Sequence, residues 1–93
     1  MNYQFNSEKN NWLKQERNIC FEDIIEAIQG GALLDVRPHP NQRQYPNQEI
    51  YVVETHGYVY IVPFVEEEAH IFLKTIYPSR KAAKKYSSRR RNS

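Results

Sequence analysis

The stretch EIYVVETHGYVYIVPFV, residues 49–65, decides the fold. Its apolar residues follow a period of two, the repeat of a strand. His56–Gly57 falls between two such runs as a tight hairpin turn. Glu49–Thr55 and Tyr58–Val65 therefore read as paired strands. Pro63 within the second has no N–H to give, so it must face an unpaired edge or sit in a bulge. Working outward, Ala32–Val36 reads as a preceding strand and Ala69–Ile76 as a following one, with Glu66–Glu68 as the turn between them. Four strands in chain order make a meander.

Upstream the period lengthens. Phe21, Ile24, Ile25 and Ile28 follow the i, i+3, i+4, i+7 rule and form one helical stripe, which Gly30–Gly31 ends. An earlier helix, capped by Asn6 or Ser7 and with Glu8 in its first turn, has Trp12 and Leu13 as its clear apolar residues. It therefore covers the core from outside and ends near Arg17–Asn18. Tyr3 and Phe5 alternate with polar residues, as in a short strand or an apolar anchor. Downstream, Ser79 caps a short helix, Arg80–Tyr86, and SSRRRNS reads as a basic flexible tail over 87–93. The expectation is an α+β domain spanning 3–86. In it, two N-terminal helices pack on one face of a four-stranded antiparallel meander, and a short basic helix follows.

Ninety-three residues suffice for one domain with one modest core. The longest apolar run, Tyr58–Val65, is far too short to span a bilayer, so no membrane role is expected. The first residues lack the basic start and apolar centre of a signal peptide, and the lone Cys20 excludes an internal disulfide. A cytoplasmic protein is expected. Its net charge of +2 hides a split. Residues 1–73 hold five Lys/Arg against all eleven Asp/Glu, a balance of −6. Residues 74–93 hold eight Lys/Arg and no acid, a balance of +8. One end of the chain is built to meet a polyanion or an acidic partner.

Standard enzyme signatures are missing. His39, His56 and His70 fall in a loop, a turn and a strand without metal-ligand spacing, so neither a metal nor a cofactor is expected. No nucleophile motif or glycine-rich phosphate loop occurs. What remains is a set of cations and polar aromatics. Arg37, His39, Arg43 and Tyr45 lie in RPHPNQRQYPNQ, residues 37–48, a loop long enough in so small a domain to point to function. Lys74, Tyr77, Arg80, Lys81, Lys84, Lys85 and Tyr86 lie at the C-terminal end.

Such a set can serve RNA. Arg and Lys hold phosphates, Tyr stacks on exposed bases, and His or Lys can move a proton. RNA cleavage by its own 2′-hydroxyl needs that proton removed, charge on phosphorus stabilised and the leaving oxygen protonated. Arg80, Lys74, His39 and Arg43 are the catalytic candidates. Arg37, Tyr45, Tyr77, Lys81, Lys84, Lys85 and Tyr86 are the RNA-binding ones. Arg80 is the sharpest, because it sits at a strand-to-helix junction where free N–H groups favour an anion. Each also has a plainer reading: Lys74 as the wet side of a strand, His39 as a turn residue between prolines.

The motif order resembles the BrnT family of toxins from type II toxin–antitoxin systems. The resemblance runs from Phe5-Asn6-Ser7-Glu8-Lys9-Asn10 through Ile19-Cys20-Phe21-Glu22-Asp23 to Tyr77-Pro78-Ser79-Arg80-Lys81-Ala82-Ala83 and Tyr86. Glu16-Arg17-Asn18 stands where the family often has Lys-His-Gly. Cys20 replaces a capping serine and Ala83 a threonine. The resemblance implies a RelE/ParE-like fold and a ribonuclease that cleaves mRNA and stops translation. It also implies a cognate antitoxin of the ribbon-helix-helix type, with promoter DNA met only through the antitoxin complex. The alternative is a noncatalytic module that binds nucleic acid or an acidic partner through the basic end.

Overall fold

In chain order the elements are β1 (Asn2–Phe5), α1 (Ser7–Arg17), α2 (Phe21–Gln29), β2 (Leu33–Pro38), β3 (Glu49–Thr55), β4 (Tyr58–Glu67), β5 (His70–Leu73), β6 (Tyr77–Pro78) and α3 (Arg80–Arg91). The computed structural model describes the backbone of residues 2–91 and the side chains of residues 2–86. The class is α+β, and β2 to β5 form the expected antiparallel meander. His56 (φ 55) and Gly57 (φ 71) are both left-handed, as a two-residue hairpin of type I′ requires.

Four features extend or correct the expectation. Tyr3 and Phe5 belong to β1, which pairs with β5 in parallel and makes the sheet mixed. The strand expected over Ala69–Ile76 is two pieces, because β5 stops at Leu73 and β6 pairs separately with β4. Pro63 lies in the gap between them. There its missing N–H leaves no partner unsatisfied, and its carbonyl accepts the Lys74 N–H at 2.8 Å. Finally, helices cover both faces of the sheet instead of one. The helix expected to stop at Tyr86 continues to Arg91. Of the flexible tail expected over 87–93, the backbone of 87–91 is helical, and residues 92–93 and the side chains of 87–91 lie outside the described residues.

The α1/α2 face holds the larger core. Leu13, Phe21, Ile24, Val53, Val62 and Leu73 are fully buried there, each contributing about 1.5–3 kcal/mol of transfer free energy. Trp12 stays outside, with the Lys9 ammonium 4.4 Å and the Arg17 guanidinium 5.0 Å from its ring centre. Asn6 caps α1 by accepting the Lys9 N–H at 2.8 Å, and Asn18 ends it at φ 54. Buried Asn10 then locks α1 to α2. Its side chain accepts the Phe21 N–H and donates to the Glu22 carboxylate, both at 2.7 Å. That bond holds the Glu22 carboxyl below its ordinary range. At the start of α2, the Cys20 N–H donates to Asp23 at 3.3 Å.

On the opposite face a smaller core joins Ile50, Val52, Val59 and Ile61 of the sheet to Ala82 and Tyr86 of α3.

Candidate nucleic-acid interface

One register irregularity builds this face. Leu33 pairs with Val53, but Asp35 pairs with Val52, so an extra residue, Leu34, is accommodated between them. Leu34 packs into the α3-side core, and Asp35 reaches that side too. Alternation then carries Arg37, opposite Ile50, to the same face. The Tyr86 hydroxyl donates to Asp35 Oδ2 at 2.6 Å and clamps α3 to β2. This bond holds the Asp35 carboxyl below its usual range, helped by the Arg37 and Lys85 cations. Burial, and then the Asp35 carboxylate, push the Tyr86 phenol up.

Between α3 and β2 runs a groove of about 300 Å³, floored by Ile50 and Ile61 and bordered by Arg37, Tyr77, Lys81, Lys85 and Tyr86. A second groove of about 290 Å³ adjoins it across Tyr77, which lines both. His39, Tyr45, Gln48, Pro63, Lys74 and Thr75 complete the second one. Burial raises the Tyr77 phenol above its ordinary value, so at neutral pH Tyr77 is a hydrogen-bond donor.

The long loop is held by its own hydrogen bonds. The His39 N–H donates to the Gln48 carbonyl at 3.0 Å, one rung beyond the β2–β3 ladder. Tyr45 donates to Asn41 at 2.9 Å and Gln48 to Tyr45 at 3.2 Å. His39 packs on Tyr45 with ring centres 4.6 Å apart, and its Nδ1 accepts the Asn41 N–H at 3.0 Å. An acceptor at Nδ1 leaves the proton of the neutral ring on Nε2. In this arrangement His39 offers a donor at Nε2 and no free basic nitrogen. Lys74, on the same side, has its ammonium 5.3 Å from the Phe72 ring centre.

Eight of the expected site residues are thus brought together. Arg37, Tyr77, Lys81, Lys85 and Tyr86 line the first groove; His39, Tyr45 and Lys74, again with Tyr77, line the second. Arg43, Arg80 and Lys84 are exposed and line neither. At Arg80 the free N–H groups of the helix start are partly used already, since Ser79 Oγ accepts the Ala82 N–H at 3.1 Å. Tyr86, expected to stack on bases, is 4% exposed and serves to dock α3. Sequence reasoning missed Asp35 and Gln48. A signal for Asp35 existed, because aspartate is disfavoured inside a strand unless something holds it there.

Apart from Asp35, three acids gather in a separate cleft. Asp23, Glu26 and Glu54 border a cleft beside α2, where His56 Nε2 stands 3.2 Å from Asp23 Oδ2. Among the described residues no group of three or more acidic, histidine or cysteine side chains is placed to hold a metal, and no helix is long and apolar enough to cross a membrane. Comparison with known proteins finds no matching family model, no matching curated protein and no matching solved structure.

Proposed function

We propose that the α3 face binds single-stranded RNA, and that the chain is the toxin of a type II toxin–antitoxin system acting as a metal-independent endoribonuclease in the cytoplasm. The observation that carries this reading is the gathering of Arg37, Lys81 and Lys85 along one groove that shares Tyr77 with a second, aromatic one. Cations track a phosphate backbone, and aromatic surfaces take the unstacked bases beside it. Asn18 adds support for the BrnT resemblance. It adopts the left-handed conformation at the position where the family motif has glycine. On this reading Arg37 binds the scissile phosphate, with Lys81 and Lys85 neutralising its neighbours, and a cognate antitoxin of ribbon-helix-helix type covers the same face. Promoter DNA is then met only through that complex.

A second reading is favoured by one observation. Among the described residues neither groove is lined by a carboxylate, and the accepting nitrogen of His39 is engaged, so neither a carboxylate nor a free imidazole nitrogen lines the grooves to take the 2′-hydroxyl proton. The alternative is a noncatalytic binder of the same RNA. Single-turnover cleavage of mRNA at saturating protein separates the two. The toxin reading expects cleavage, a loss on the order of a hundredfold for Arg37→Ala, as for one preorganised donor removed, and a loss within about tenfold for Arg80→Ala. Intact RNA in a complex that binds it would leave the noncatalytic reading. Growth arrest on induction of the chain alone, relieved by its cognate partner, is the matching test in cells.

A further inference from the structure

The second groove is lined by hydrogen-bond donors, one of them on a ring held in place. The Asn41 N–H on Nδ1 keeps the proton of neutral His39 on Nε2, and packing on Tyr45 holds the ring in place. Lys74, the other polar end of the groove, has an ammonium that can only donate. Tyr77 supplies an aromatic wall and joins this groove to the cationic one. A ligand here must present acceptors to His39 and Lys74 and a flat face to Tyr77, and must be attached to a phosphate chain.

We propose that this groove selects guanine: O6 and N7 of one base accept from Lys74 and His39 Nε2–H while the ring stacks on Tyr77. Guanine places two acceptors side by side on one edge. Adenine replaces one with an amine, which would meet a cation or an N–H, and cytosine presents an amine as well. Uracil has an acceptor at O4 without an N7 beside it. Gln48 and Thr75, which each carry both a donor and an acceptor, also line the groove and do not oppose the choice. The inference rests on the reading of the α3 face as an RNA site and adds to it a base and the residues that choose it.

The test uses the full chain and short labelled oligouridylates carrying a single central G, A, C or U, with binding followed by fluorescence anisotropy at fixed salt. The G version should bind about tenfold or more tightly than the others, the range of one good bidentate base contact. Replacing that G by 7-deazaguanosine, which lacks the N7 acceptor, should remove most of the preference without touching the protein. His39→Ala removes one of the two donors and should bring the G version down to the affinity that the parent shows for the U version. Equal affinity for all four versions, with steep salt dependence, would overturn the guanine site and leave the RNA reading standing. No binding of any version would overturn both.

Discussion

The two faces of the sheet are made from the same strands but built to opposite ends. On the α1/α2 side, Leu13, Phe21, Ile24, Val53, Val62 and Leu73 are sealed, and Asn10 ties the two helices together. On the α3 side, Ile50 and Ile61 keep 7% exposure and Ala82 keeps 9%, under grooves edged with cations. β3 shows the division residue by residue: Tyr51 and Val53 point into the large core, Ile50 and Val52 into the small one. Stability is concentrated on one face, which leaves the other free to stay open and charged.

The comparison is most sharply broken in the sealed face. Phe21→Ala should cost about 3–5 kcal/mol, enough to unfold a marginal domain of this size, read as a lowered urea midpoint. Smaller is Asn10→Ala, which orphans the buried Phe21 N–H and should cost about 1–3 kcal/mol in the same assay. Next comes the clamp of the open face. Tyr86→Phe removes the hydrogen bond to Asp35 and should cost about 1 kcal/mol, discounted because Asp35 is half-exposed.

The clamp also has a pH signature. Because the folded Asp35 carboxyl lies below its unfolded value, its stabilisation is complete above about pH 3.9 and is lost as pH falls below that. Tyr86→Phe should therefore flatten the acid limb of a stability–pH curve and leave its neutral part parallel to the parent. Least of all, Lys81→Ala and Lys85→Ala should move stability by no more than about 0.5 kcal/mol, as exposed residues do. A large destabilisation by either would mean that the open face is structural after all.

Much of the fold was legible because periodicity is local. The 49–65 hairpin, both bounds of α1 and the stripe of α2 follow from spacing, caps and the His56–Gly57 turn. Three things were not legible, and each depends on distant residues. The parallel pairing of β1 with β5 joins segments far apart in the chain. The break at Lys74–Ile76 is set by Pro63 on the neighbouring strand. The second helical face requires that α3 cross the sheet, which its charge pattern does not reveal. At the candidate site, charge clustering pointed to the C-terminal end but not to which cations share a groove. Arg37 reaches the groove through a bulge at Leu34, whereas Arg80, with the more suggestive local context, lines no groove. Local context sees a helix start; it does not see which face the helix covers.

Salt dependence of single-stranded RNA binding tests the central claim most directly, measured on the parent and on the combined Arg37→Ala, Lys81→Ala, Lys85→Ala variant. Each phosphate contact in a single strand contributes a slope of roughly −0.7 on the log–log plot, so losing three should make the slope shallower by about 2. That loss is expected with the urea midpoint unchanged. An unaltered slope and affinity in the variant would contradict it and place the RNA, if any is bound, away from the α3 face.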